Sequence, residues 1–498
     1  MLRAVRIVLA LLMFASITLL FLDLTGVASA WLGWTAKIQL LPAILAGNVV
    51  AIIIVAAVTL LFGRVYCSVA CPLGVMQDLV ARFSPKRLRH TYRYTQSHPW
   101  LRWGIFAVFV VLLLLGLNSI ALLIAPYSAY GRIASQLLQP LAIWGNNAAA
   151  AVAQEHGSYV FHTVPLLHKG GLTLIVAIAT LLVVGIMAFV GGRTWCNNIC
   201  PVGTLLGWLS KYSLLKPHID QNKCVQCHRC EKRCKAGCID IEHKTIDHSR
   251  CVACMNCTTS CKVDALHYSR QRTEKADLSS TAAATTATDT SRRKFITTTV
   301  AVATSSALAA QEMKVDGGLA VILDKKVPAR NTAVKPAGSI SLKHFAHHCT
   351  ACQLCVAECP NHVLRPSKRL DTLMQPEMSF EQGYCRPECT RCSTVCPTGA
   401  IRPITPAEKT NIHWGHAVWI AENCIANTDN IACGNCERHC PVGAIIMVPN
   451  KQSQHRSPAA IPTVDESRCI GCGACENLCP SRPISAIYVE GRETHVQS

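Results

Sequence analysis

The residues with most chemistry to offer in this chain are its cysteines. There are 29 of them, and most fall in runs of three or four, close together and regularly spaced. Runs that dense make poor disulfide geometry and good metal-ligand geometry. Residues 216–270 hold Cys224, Cys227, Cys230 and Cys234, then Cys251, Cys254, Cys257 and Cys261. Each set reads CxxCxxCxxxC, in which three close thiolates wrap one face of an iron–sulfur cubane and the fourth reaches a neighbouring cluster. Zinc ribbons use paired CxxC instead.

This is the two-cluster spacing of bacterial ferredoxins. Cluster one takes Cys224, Cys227, Cys230 and Cys261; cluster two takes Cys251, Cys254, Cys257 and Cys234. The proline that usually follows the fourth cysteine is replaced by Lys235 and Lys262, which alters the turn without removing a ligand. Cys238 is a ninth thiol with no assigned part, readable as a buried packing residue. Cys224–His228 also matches the CxxCH haem signature, but both of its thiols are already committed to the ferredoxin run.

Four further runs follow: Cys349, Cys352, Cys355, Cys359; Cys385, Cys389, Cys392, Cys396; Cys424, Cys433, Cys436, Cys440; and Cys469, Cys472, Cys475, Cys479. Each ends in Cys-Pro. The outer two keep strict spacing, and the inner two have widened first gaps, as loop insertions produce. Sixteen thiols make four cubanes with none left over, so the chain as a whole is expected to hold six [4Fe–4S] clusters. The runs must pair to exchange fourth ligands. A nested arrangement is favoured, run one with run four and run two with run three, so that Cys479 completes the first cluster and Cys440 the second. Sequential pairing is the alternative.

Four more cysteines lie in an internal repeat, GRVYCSVACPLG at 63–74 and GRTWCNNICPVG at 192–203. Cys67, Cys71, Cys196 and Cys200 are spaced i, i+4, which places each pair on one helical face. The proline after each pair favours an extended residue or the start of a new helix. Brought together, the pairs make a soft four-thiolate site suited to iron–sulfur, zinc or redox chemistry; singly, they would be packing at a helix end.

The elements that must position these thiols begin with four apolar segments, 5–22, 42–62, 101–124 and 172–190, each near the roughly 20 residues needed to cross hydrocarbon. Half of the chain is hydrophobic and only 15% is charged. The net charge of +19 sits largely beside these segments, so membrane topology explains it better than nucleic acid does. Arg3 and Arg6 precede the first segment. Arg64, Arg82, Lys86, Arg87, Arg89, Arg93 and Arg102 lie between the second and third. The positive-inside rule therefore puts the N-terminus, the CxxxCP thiols and the two-cluster module in the cytoplasm. Trp31, Trp34, Tyr127 and Tyr130 fall near the outer interface as candidates for quinol contact, although an aromatic belt accounts for them better. Residues 271–290 read as a Ser/Thr/Ala linker. Ser291-Arg292-Arg293-Lys294-Phe295-Ile296 then matches the twin-arginine export pattern, with a possible cleavage site at Ala307-Leu308-Ala309. The expected organisation is a multi-domain membrane protein: a four-helix transmembrane domain (1–215), an α+β two-cluster ferredoxin domain (216–270), a linker with signal or anchor helix (271–315) and an α+β four-cluster ferredoxin domain (316–498).

With these motifs in hand, residues 1–270 resemble the NapH-type membrane ferredoxins, and residues 291–498 resemble the MauM/NapG-type exported ferredoxins. That resemblance implies an oxidoreductase component of the bacterial inner membrane. It would act as a quinol dehydrogenase, carrying electrons from the quinone pool to a periplasmic c-type cytochrome or nitrate reductase. It also implies that the four-cluster module is periplasmic, carried there by the twin-arginine machinery. The rival role is a maturation factor that keeps a periplasmic enzyme of the nitrate reductase or methylamine dehydrogenase type reduced.

Overall fold

Long uncharged runs of Leu, Ile, Val and Ala bury best as helices, and two such runs form helices of 21 residues, Leu2–Leu22 and Gly171–Gly191. At 1.5 Å per residue each is about 30 Å long, enough to cross a bilayer. The structure, a computed structural model, describes residues 2–23, 25–84, 94, 96, 98–158, 161–166, 169–270, 325–328, 330–450 and 457–497. The described residues of 2–270 and 326–497 form one compact unit. The expected linker, the twin-arginine motif and the Ala307–Ala309 site lie outside the described residues, as do Lys86, Arg87, Arg89 and Arg93.

The other two expected spans are shorter than the sequence suggests. Segment 42–62 breaks into Leu40–Leu45 and Val49–Phe62. Gly47 turns the chain at φ 64°, and the Asn48 side chain accepts from the Ala51 N–H to start the second piece. Segment 101–124 likewise ends its helix at Leu114, because Gly116 takes φ 75° and a new turn starts at Asn118. Hydropathy counts a glycine as neutral. Its left-handed backbone is a stop signal, and that overrides the apolar run.

The first long helix has a different module at each end. Near its start, Arg3 donates to Thr259 of the two-cluster module, and Arg6 pairs with Asp78. Just past its end, Arg391 of the four-cluster module donates to the Thr25 carbonyl. Helix Pro126–Ile133 runs on through a π-helical turn into Gln139–Glu155 and forms much of the seat for the four-cluster module.

Both ferredoxin modules are α+β, built from helices of one or two turns and two-stranded antiparallel pairs. In the first, Leu215–Ile219 pairs with Leu266–Arg270, placing Pro217 opposite Tyr268. In the second, Ile412–Trp419 pairs with Ile487–Gln497, with Gly415 opposite Gly491 and a register shift before Val496. Trp414 is fully buried there, its indole N–H donating to the Gly471 carbonyl.

Candidate metal centres and the path between them

The strict CxxCxxC runs share one backbone habit. The residues flanking the second cysteine take positive φ in all four: Gln226 and His228, Ala253 and Met255, Ala351 and Gln353, Gly471 and Gly473. Six of those eight are not glycine, so the loops hold a conformation that costs L residues on the order of 1 kcal/mol each. Alternation into the left-handed region turns successive N–H groups toward one point, an anion-binding nest. Thiolate-bound clusters are anionic, and the donor set is soft sulfur, so loops and ligands fit an iron–sulfur cluster. Spacing alone marks the ligands; it does not announce the strained residues between them.

In the two-cluster module the thiols gather as expected. Cys224, Cys227, Cys230 and Cys261 line one small cavity, and Cys234, Cys251, Cys254 and Cys257 line another. Cys238 joins the second group with its sulfur 3.5 Å from that of Cys234. Its hydrogen bond is the largest influence on Cys234, pulling that thiol down to about 7, while the Cys238 thiol is pushed well up by its bonds to Cys234 and Cys251. These opposite directions are those expected of a Cys238 S–H donating toward a Cys234 thiolate. Cys238 occupies the place held elsewhere by buried Ala265, Ala400 and Ala444, four residues beyond the last cysteine of a run.

The four-cluster module corrects the nested pairing. Cys349, Cys352 and Cys355 all lie within electrostatic reach of Cys396, the end of run two. Cys359, which ends run one, lines a cavity with Cys385, Cys389 and Cys392. Cys440 shares a cavity with Cys469, Cys472 and Cys475, and Cys479 lies in one apolar core with Cys424, Cys433 and Cys436. Pairing is thus sequential, run one with run two and run three with run four. A compact ferredoxin fold closes over neighbouring runs, and the two halves then meet where the Cys385 N–H donates to the Cys472 carbonyl at 2.9 Å. Amide N–H groups of Ala265 and Ala444 approach the sulfurs of Cys261 and Cys440 at 3.2 Å, the kind of contact that tunes cluster potential. Buried Lys409, which no spacing rule reveals, donates to the Cys385 sulfur at 3.2 Å and to the Arg386 and Cys389 carbonyls.

The CxxxCP thiols are brought together, all four buried in the core of the bundle. The i, i+4 helical-face expectation fails. Cys67 and Cys196 sit in one-turn helices, while Cys71 and Cys200 are extended residues that cap the next helices, with Pro72 and Pro201 in the first turn. Each repeat braces the other. Arg193 of the second copy donates to the Cys67 carbonyl at 2.8 Å, and Arg64 of the first donates to the Cys196 carbonyl at 3.3 Å. The closing glycines make this possible. A Cβ on Gly74 would collide with the Cys67 carbonyl and Arg193, and one on Gly203 with the Cys196 carbonyl and Arg64.

The same arginines dock the two-cluster module. Arg64 donates to the Ser249 carbonyl, and the Arg193 N–H donates to the Lys235 carbonyl. Lys235, standing where a proline is usual, lies 3.5 Å from Asp78. Burial pushes the Asp78 carboxyl up, but Arg193, Lys235 and Arg6 outweigh it and hold the carboxyl well below the usual range. Arg64, Arg102 and Arg193 are thus buried structural charges rather than only markers of topology. The outer aromatics divide. Trp31 and Trp34 are exposed, whereas Tyr127 and Tyr130 are buried. Tyr127 lies within electrostatic reach of Cys352 and Cys396 on one side and Tyr66 on the other; Tyr66 in turn reaches Cys67, Cys71 and Cys200.

Nested loops, thiol cages and amide-to-sulfur contacts define an iron–sulfur protein of the ferredoxin type. The family comparisons agree: a 4Fe-4S binding domain matches residues 45–90 and 172–220, and a 4Fe-4S dicluster domain matches 348–400 and 431–482. The second divides the module along the sequential pairing. The methylamine utilization ferredoxin-type protein MauM of Methylobacillus flagellatus is 33% identical over 167 residues, 32% of this chain and 70% of its own length. The ferredoxin-type protein NapG of Escherichia coli (strain K12) is 30% identical over 187 residues, 36% and 77% of the two chains. NapF of the same strain is 27% identical over 177 residues, covering 98% of that protein. The chain belongs to the MauM/NapG family of ferredoxin-type electron-transfer proteins. No solved structure matches it.

Proposed function

We propose that this chain is a membrane-spanning iron–sulfur conductor of the quinol dehydrogenase type. It would take electrons from membrane quinol and deliver them to a periplasmic c-type cytochrome or nitrate reductase. The observation that carries this reading is the serial order of the thiol groups. They run from exposed Cys227, through Cys234 and Cys251, past the CxxxCP thiols and Tyr127, to Cys352, Cys385 and Cys472. In this reading the 24 cysteines of the six runs hold six [4Fe–4S] clusters, four apolar segments cross the inner membrane, two as long helices and two as helices broken near Gly47 and Gly116, and the four-cluster module is exported by the twin-arginine route. When bound, such a cluster exchanges one electron at a time without a proton. Quinol gives two electrons in two steps and releases two protons to solvent.

The residues of the chain set the potentials and exclude water. Lys409 against Cys385 favours the reduced, more negative state of the group it touches, as does each amide N–H aimed at sulfur. The test is quinol oxidation by the purified full chain in liposomes with a c-type cytochrome outside. Cytochrome reduction that disappears in a Cys472→Ser variant supports a conductor. Unchanged cytochrome reduction in cells carrying that variant, with loss only of mature partner enzyme, would establish a maturation factor instead.

A further inference from the structure

Between the two ferredoxin modules lies a site that the six-run arithmetic leaves out. We propose that Cys67, Cys71, Cys196 and Cys200 jointly hold one further cluster, of the [4Fe–4S] type, inside the helical bundle. This goes beyond the six-cluster reading and can fail without it.

Charge is the first argument. Arg64 and Arg193 are both fully buried beside these thiols, with the Arg64 Nη2 3.9 Å from the Cys67 sulfur. Arg193 shares Asp78 with Arg6 and Lys235, so three cations face one carboxylate. Arg64 donates to carbonyls and to Asn197, and no carboxylate lies within ion-pair distance of it among the described residues. The Nε of Arg64 and Nη2 of Arg193 find no oxygen acceptor. Buried positive charge in such excess calls for an anion. Four thiolates on a cubane core carry a net charge of about −2, which supplies it.

Geometry is the second. The reciprocal bracing, Arg193 on the Cys67 carbonyl and Arg64 on the Cys196 carbonyl, fixes the two cysteine pairs against each other. Packing of small thiols would not require that exchange. None of the four forms a disulfide, and among the described residues no three His, Cys, Asp or Glu side chains converge as they would around a single ion. The cysteines of the ferredoxin runs do not converge that tightly either, as suits a wider cubane cage.

Position is the third. Arg64 also acts on Cys251, and Asp78 acts on Cys254, so the second ferredoxin site adjoins this one. On the other side, Tyr66 and Tyr127 lead to Cys352 and Cys396. A centre here would accept one electron from a reduced neighbour and pass it to an oxidised one, with no bond made and no proton moved. It would divide a bundle about 30 Å long into shorter steps.

The experiment is a metal count on the full chain purified anaerobically in detergent, beside Cys67→Ser/Cys200→Ser. Iron and acid-labile sulfide should each fall from about 28 to about 24 per chain. Low-temperature electron paramagnetic resonance during a redox titration should lose one signal and keep the rest. About 24 iron in both proteins, or one zinc lost with the two thiols, overturns the proposal. Should the double variant not fold, Cys71→Ser serves. A shift of a single cluster signal supports the site, and a spectrum identical to that of the unaltered chain refutes it.

Discussion

The two ferredoxin modules dock on one helical bundle by opposite means. The two-cluster module is held by charge: Arg64 and Arg102 on Ser249, Arg193 on Lys235, and Asp78 gathering Arg193, Lys235 and Arg6. The four-cluster module is held mainly by neutral groups, beside the charged contact of Arg391 with the Thr25 carbonyl. Ser128 donates to the Thr350 carbonyl at 2.6 Å, Ser135 and Gln136 both donate to the Gln353 side chain, and Gln139 donates to the Ala357 carbonyl. Shape does the rest, since Gly131 lies so close to the Cys352 carbonyl that a Cβ there would collide with it. A charged seat is strong while every charge is paired and fragile when one is removed. A neutral seat loses less with any single hydrogen bond but tolerates no added volume.

The largest effect should come from Asp78→Asn. It leaves Arg193, Lys235 and Arg6 without their shared anion, and breaking a buried pair costs about 3–5 kcal/mol. Amide hydrogen exchange should rise around Lys235 and Ser249 and stay unchanged around Thr350 and Gln353. Equal loosening at both seats would mean that they are not independent. Gly131→Ala is the converse change. Its methyl meets the Cys352 carbonyl and the Phe21 ring, an overpacking cost of about 1–3 kcal/mol. Protease sensitivity should increase in the four-cluster module alone.

These two positions also show what the sequence could and could not reveal. The cysteine runs announced their chemistry, because ligand spacing is local and a cubane imposes it. The duplicated GR-x-aromatic-CxxxCPxG motif was visible as well, and its closing glycines now have a reason, the room each leaves for the other copy's arginine. What could not be read depends on long-range partners. Asp78 is one acid in an unremarkable helix until Arg6, Arg193 and Lys235 arrive from far along the chain. Arg64 and Arg102 looked like topology signals because charge near an apolar segment has that meaning on average. The nested pairing failed because spacing names the ligands without saying which runs fold against each other. Two spans were overestimated because φ at Gly47 and Gly116 is invisible to hydropathy.

A pH comparison separates the seats further, and its sign differs between them. At the charged seat, burial holds the His248 imidazole down to about 4 from 6.5. Its contribution is complete above about 6.5 and is lost as pH falls through the folded value. At the neutral seat, burial raises the Glu358 carboxyl from 4.5 to about 7, with nearby Asp23 adding to the rise. That contribution is complete below 4.5 and is lost as pH climbs through about 7. Moving from pH 8 to pH 5 should therefore loosen the two-cluster module and tighten the four-cluster module. Hydrogen exchange at the two seats reads both changes at once. Glu358→Gln should abolish the second trend and leave the first, and a common direction at both seats would contradict these assignments.

The smallest effect separates two thiols within one module. Cys238 stands where three of the other five runs have a buried alanine, and it lies within hydrogen-bonding reach of Cys234 and Cys251. Cys238→Ala restores the residue found at Ala265, Ala400 and Ala444, so iron content should not change. The lost S–H donor leaves more negative charge on the sulfur of Cys234, which disfavours reduction. The potential of one cluster should accordingly fall, by a few tens of millivolts given that 59 mV is a tenfold change for one electron. Cys234→Ala, by contrast, should cost that cluster its fourth ligand, unless Cys238 moves in to replace it. A cluster retained in Cys234→Ala and lost in Cys234→Ala/Cys238→Ala would reveal such a substitution. A cluster lost on changing Cys238 alone would show instead that Cys238 is the native ligand, reversing the roles of thiolate and donor.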